Sequence, residues 1–157
     1  MGAVFSETKN KLGFGCMRLP MKNGQVDTAE FSQMVDAFLE NGFNYFDTAH
    51  GYLGGKSETA LRECLTSRYP RERYILTNKL TNFFFKRQED IRPFFENQLK
   101  WCGVDYFDFY LMHAQGAENF EFFKKGVNVL LLLKKEVSQL VGQDVPLPGI
   151  TAGKVFP

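Results

Sequence analysis

Gly103-Val104-Asp105-Tyr106-Phe107-Asp108-Phe109-Tyr110-Leu111-Met112-His113 is the stretch on which the fold turns. Gly103 stops a helical pattern, Tyr106–Met112 is apolar at nearly every position, and the run ends on His113. Near-continuous apolarity is the pattern of a strand buried on both faces, as in a parallel sheet. Working back along the chain, Tyr74-Ile75-Leu76-Thr77 is a similar short run leading into Lys79, and Phe43-Asn44-Tyr45-Phe46 leads into Asp47. Leu12–Arg18, around Gly13-Phe14-Gly15-Cys16, is then the first strand.

Helical patterns separate these runs. Asp27-Thr28-Ala29-Glu30 reads as a capping box, an N-cap oxygen with a glutamate three residues on. Phe31, Met34, Val35, Phe38 and Leu39 follow at helical spacing and form one apolar stripe, which Asn41-Gly42 ends. A glycine-rich loop, His50–Gly55, precedes a second helix that Ser57 can cap, with Ala60, Leu61, Cys64 and Leu65 on one face. A third helix spans Glu89 to Cys102, with Ile91, Phe94, Phe95 and Cys102 inward and Pro93 in the first turn, where its missing N–H does no harm. Strands alternating with helices predict four βα units, the fourth helix starting near Glu118. Beyond Lys125 the pattern changes: Gly126–Val141 reads as a helix through Leu130, Leu133, Val137, Leu140 and Val141, and the remainder is a Pro/Gly-rich tail.

The 157 residues suit one domain but are short for a complete (β/α)8 barrel, which takes about 250. With a net charge of +1 and no basic run, nothing in the bulk electrostatics draws the chain to nucleic acid or to an anionic membrane. The longest apolar run, Val129–Leu133, is too short to span a bilayer, and the N-terminus lacks a signal peptide's apolar region. Cys16, Cys64 and Cys102 are far apart, which fits free thiols in a reducing cytoplasm and no metal cage.

Asp47, Lys79 and His113 each stand just past the apolar core of a different strand, and Tyr52 lies on the loop leaving the second. Parallel strands bring their C-terminal ends to one face, the face that carries active sites in βα folds. Each residue alone has a plain structural account: a loop-capping aspartate, a surface aromatic, a solvated lysine, a satisfied core imidazole. Together they make an acid–base set. A phenol is a weak acid near neutral pH, and a neighbouring ammonium favours its ionised form. Lys79 can be that cation, Asp47 can hold it in place, and His113 can donate to a substrate oxygen. Such a site would protonate a carbonyl oxygen. No side chain donates hydride, so a nicotinamide is implied.

These residues also carry a resemblance. Phe46-Asp47-Thr48-Ala49-His50-Gly51-Tyr52, followed by Gly54-Gly55-Lys56-Ser57-Glu58, resembles the D-T-A-x-x-Y motif of the aldo/keto reductase family. Lys79 in Ile75-Leu76-Thr77-Asn78-Lys79 matches the family's strand-end lysine, and Gly103–His113 is similar to its G-V-D-Y-x-D-x-x-x-x-H stretch. Leu12–Pro20 is close to the opening strand of bacterial members that carry iron–sulfur clusters in a C-terminal extension, although no C-x-x-C-x-x-C run is present here. The resemblance covers roughly Leu12 to Lys125. It implies a (β/α)8 barrel and reduction of an aldehyde or ketone by NADPH or NADH. It assigns Asp47, Tyr52 as proton donor, Lys79 and His113 to catalysis, and Gly15, Cys16, Met17 and Asp47 to the cofactor's surroundings.

The resemblance also implies what this stretch lacks. Much of the family's cofactor grip lies in the second half of the barrel, and after Lys125 no strand like G-K-x-R-x-x-G-x-S follows. The expectation is therefore a partial barrel: residues 1–125 as an N-terminal half, residues 126–157 as a divergent tail, and an incomplete cofactor site. Open sheet edges would then favour self-association. Three readings stay open: a carbonyl reductase impaired by truncation, a homodimer completing one barrel, or an inactive binding or regulatory module with a half-barrel fold.

Overall fold

A computed structural model describes residues 10–114, together with Ala117 and Glu121. The fourth helix expected near Glu118 and the tail expected over residues 126–157 lie outside the described residues.

Four parallel strands, β1 (Gly13–Gly15), β4 (Tyr45–Asp47), β5 (Ile75–Thr81) and β6 (Phe109–His113), lie side by side in that order. Gly15 pairs with Asp47, Asp47 with Thr77, and Thr77 with Phe109, so one register runs across the sheet. Helices α1 (Thr28–Glu40), α2 (Lys56–Leu61, continued by a wider turn over Arg62–Thr66) and α3 (Ile91–Cys102) connect them. This is an α/β architecture of successive βα units.

Strand alternation divides the sheet into two faces. Toward the helices point Phe14, Phe46, Leu76, Asn78, Leu80 and Tyr110. Phe14 meets Phe31 at 5.7 Å and Phe38 at 5.3 Å, and Tyr110 meets Phe95 edge-on at 4.9 Å. Phe31, Phe46, Phe95 and Leu76 are fully buried there, each worth roughly 1.5–3 kcal/mol of burial. The opposite face carries Gly13, Gly15, Tyr45, Asp47, Thr77, Lys79, Phe109, Leu111 and His113.

Asp27 does cap α1, accepting from the Glu30 amide at 3.1 Å, and Gly42 follows the helix with φ of +81°. The stripe is narrower than the spacing predicts: Phe31, Val35 and Leu39 are buried, while Met34 is exposed at its margin. Ser57 does not cap α2. Gly55, with φ of +87°, precedes the helix, and the Ser57 hydroxyl is buried inside its first turn, donating to the Cys16 carbonyl at 2.9 Å. α3 starts at Ile91 after a short turn over Gln88–Asp90, and Gly103 ends it with φ of +67°.

β2 (Met21–Lys22) and β3 (Gln25–Val26) form a small antiparallel hairpin between β1 and α1. Its turn is Asn23-Gly24, both at positive φ, which is a strong short-range hairpin signal.

The N-terminal ends of β5 and β6 are pinned by Arg71. Its guanidinium lies 3.9 Å over the Tyr106 ring and 4.9 Å from that of Tyr74, and bonds Asp108 at 2.5 Å. Asp108 in turn accepts from the Leu76 amide at 2.6 Å. Among the described residues no helix is long and apolar enough to cross a membrane.

Candidate active site

The site is built around the Lys79 ammonium. The spacing places Lys79 past its strand, but β5 continues to Thr81, so Lys79 lies within it and is only 8% exposed. β5 is the strand with neighbours on both sides that reaches farthest, and the pairing of Lys79 with Leu111 and Thr81 with His113 draws those last residues into the ladder. A buried ammonium needs partners. Lys79 Nζ forms an ion pair with Asp47 Oδ1 and donates to the Thr48 carbonyl at 2.8 Å.

Tyr52 reaches the same point from the loop after β4. Its amide donates to the Ala49 carbonyl at 3.0 Å, and Leu53 and Gly54 follow in left-handed conformations that turn the chain into α2. Its ring centroid is 5.0 Å from Lys79 Nζ and 5.9 Å from the His113 ring, which it meets edge-on. The expected hydroxyl-to-lysine approach takes the form of this ring contact, with the phenol oxygen making no hydrogen bond among the described residues.

His113 ends β6, inside the strand that the spacing stops at Met112. Its Nδ1 is 2.8 Å from the Thr81 hydroxyl. Burial first, and the Lys79 charge second, lower its pKa from the ordinary value of 6.5, with Asp47 partly opposing. The ring is therefore held toward its neutral form.

Of the residues assigned to a cofactor, Gly15 is exposed at the mouth, opposite Asp47 in the register, with nothing within 4 Å of where a Cβ would stand. Met17 is exposed beside it. Cys16 is turned the other way: its side chain is fully buried in the core, its amide donates to the Asp47 carbonyl at 2.8 Å, and its carbonyl accepts from Ser57. Burial, then Asp47, push its thiol pKa up, so it is no nucleophile.

Behind the sheet lies a polar cluster that the sequence reading did not identify. The fully buried Glu58 accepts from Asn78 at 2.8 Å and from Gln98 at 3.0 Å, and lies 2.6 Å from His50 Nδ1. Gln98 also donates to the Lys79 carbonyl at 3.2 Å and accepts from the Tyr110 hydroxyl. His50 stacks on Trp101 at 4.3 Å. Glu58 thus ties the loop bearing Tyr52 to the strand bearing Lys79. Its legible signal was Gln98, a polar residue on the stripe Ile91, Phe94, Phe95, Cys102. In front of the cluster, Thr48 and Ser57 share a hydrogen bond of 2.8 Å that joins the end of β4 to α2.

Four parallel strands joined by helices, with Asp47, Lys79 and His113 gathered at their C-terminal ends, define a protein of the βα class of folds. The aldo/keto reductase family model matches residues 11–125, and the chain belongs to that family. It is 32% identical over 106 residues to 4-dihydromethyl-trisporate dehydrogenase of Mucor mucedo, covering 64% of this chain and 30% of that protein. It is 33% identical over 105 residues to human aldo-keto reductase family 1 member C3, covering 66% and 31%. To the NADH-specific methylglyoxal reductase of Escherichia coli it is 30% identical over 136 residues, covering 72% and 40%. Among solved structures it is similar to the holo form of an aldo-keto reductase from Bacillus halodurans, with a TM-score of 0.66, 27% identity, and coverage of 83% of this chain and 43% of that one. An NADPH complex of an aldo-keto reductase from Klebsiella pneumoniae shares the fold at a TM-score of 0.62, 20% identity, and coverage of 80% and 42%. The chain spans about a third of the length of these curated relatives, so what is described is part of a (β/α)8 barrel.

Proposed function

We propose that this chain carries the acid–base site of an NAD(P)H-dependent reductase of aldehydes or ketones. The observation that carries the reading is the buried Lys79 ammonium, ion-paired with Asp47 and lying 5.0 Å from the ring of Tyr52, with His113 across that ring. Tyr52 is the proton donor, its ring held beside the Lys79 ammonium. Asp47 holds the Lys79 ammonium in place through their ion pair. Neutral His113 donates a hydrogen bond that orients the substrate oxygen.

The residues at the mouth fit a nicotinamide. Gly15 leaves open the space that a Cβ would fill, Met17 is exposed, and Asp47 lies opposite Gly15 in the register. Cys16 supports that surface from below. Bound there, a nicotinamide supplies the hydride that no side chain can. NADPH and NADH both remain candidates, one relative being named as NADH-specific. We further assign residues 1–125 to the family's N-terminal half and residues 126–157 to a divergent tail. Buried, unpaired Cys16, Cys64 and Cys102 suit a cytoplasmic setting.

The test is oxidation of NADPH by this chain with a panel of small aldehydes and ketones, beside calorimetric titration of the cofactor. Turnover lost in Tyr52→Phe supports the reading. Cofactor binding without turnover points to a binding module with this fold, and neither binding nor turnover overturns the proposal for this chain.

A further inference from the structure

Thr81 closes β5 directly opposite His113 in the register, and the two side chains meet at 2.8 Å between Oγ1 and Nδ1. Thr81 is 4% exposed, and among the described residues His113 is the one hydrogen-bond partner of its hydroxyl. That isolation decides the direction of the bond. A hydroxyl has one proton to give, and burying an ungiven donor is costly, whereas oxygen lone pairs tolerate partial satisfaction better. If Nδ1 carried a proton and donated it to Thr81, the threonine's own proton would have nowhere to go. If Nδ1 is bare, it accepts that proton, and the donor left over is Nε2–H, on the half-buried ring of His113 instead of on the buried Thr81 hydroxyl.

We propose that Thr81 is a positioning residue for His113: its hydroxyl donates to Nδ1 and so holds the neutral imidazole in the tautomer whose Nε2 carries the proton. In a neutral ring one nitrogen donates and the other accepts, so this tautomer leaves Nε2–H as the donor for a substrate oxygen. The opposite tautomer would present a lone pair and repel that oxygen. Burial and the Lys79 charge both disfavour the imidazolium, so a tautomer choice, and not a charge, governs what His113 can offer. The purpose assigned to the tautomer rests on the carbonyl-reduction reading, while the tautomer itself does not.

The chain has two histidines, which makes the measurement direct. Nitrogen-15 labelling of histidine and long-range proton–nitrogen correlation spectra above the titration range report which ring nitrogen carries the proton. His50→Gln removes the other ring and assigns His113. The expected result is a protonated Nε2 and a bare, hydrogen-bonded Nδ1 in the wild-type chain. Thr81→Val should collapse the separation of the two nitrogen shifts toward a tautomer mixture, and Thr81→Ser should restore it. A protonated Nδ1 in the wild type overturns the proposal, as does a Thr81→Val spectrum identical to the wild type. Thr81→Ala supplies the same comparison if the valine chain does not fold. Because no turnover is read, a correct tautomer in a chain that reduces no carbonyl would count against the functional reading alone.

Discussion

Lys79 shows how one charge organises a site. Its ammonium is nearly enclosed, yet Asp47 and the Thr48 carbonyl hold it at the sheet's mouth. Removing either ion would act differently on stability and on activity. Asp47→Asn removes the counter-ion from the enclosed lysine, and should lower both the denaturation midpoint and any kcat, the latter by about 10²-fold or more. The Asp47→Asn, Lys79→Met double variant should recover much of the lost stability and none of the activity; urea melts beside steady-state rates check both. His113 supplies a pH dependence. Its folded pKa lies below the ordinary 6.5, chiefly through burial, so the unfolded chain takes up that proton first. The stability from keeping the ring neutral is therefore complete above about pH 6.5 and is lost as pH falls toward the folded value. Urea midpoints should fall across that window, and His113→Gln should flatten the fall.

At the scale of elements, the ends of strands and helices are held by a few polar contacts. Arg71, stacked on Tyr74 and Tyr106, joins the start of β5 to the approach to β6 through Asp108. Asp108→Ala would strand the guanidinium and the Leu76 amide together, and breaking a buried pair this way costs about 3–5 kcal/mol. Guanidinium denaturation at neutral pH should show that loss, and Arg71→Leu in the same background should return part of it. Gly103 marks the other kind of joint. Its φ is +67°, and a Cβ there would stand 2.9 Å from Arg62 Cγ. Gly103→Ala should cost about 1–2 kcal/mol from the left-handed backbone alone, read as a lowered Tm, with the helical circular dichroism unchanged.

For the molecule as a whole, stability should be uneven. All seven residues of β5 are buried, and that strand pairs on both sides, whereas β1 is three residues long with one partner. Backbone opening follows such differences in burial and pairing. Amide hydrogen exchange should therefore be slowest for Leu76–Leu80 and much faster for Gly13–Gly15. Equal protection of the two strands would mean that β1 is covered by contacts beyond those of this sheet.

Much of this was legible in the chain itself. Local periodicity is a local property, so the four strands, their order, the Asp27 cap, the Gly42 and Gly103 stops and, Met34 apart, the inward faces of the helices could be read from spacing alone. So could the candidates Asp47, Tyr52, Lys79 and His113, because parallel strands must bring their C-terminal ends together. Asn23-Gly24 is equally legible as a hairpin turn. What only the tertiary structure decided concerns groups far apart in sequence. How far β5 and β6 extend depends on their pairing with each other. Ser57 reads as a helix cap in one dimension, but the end of β1 packs against α2 and takes its hydroxyl. Glu58, Gln98 and Asn78 become one buried cluster only when a helix, a second helix and a strand close around them. Strand alternation carried past Gly15 in the packed sheet turns the Cys16 thiol into the core. A sequence specifies which groups are available; their desolvation, and hence their partners, depends on what the fold places opposite them.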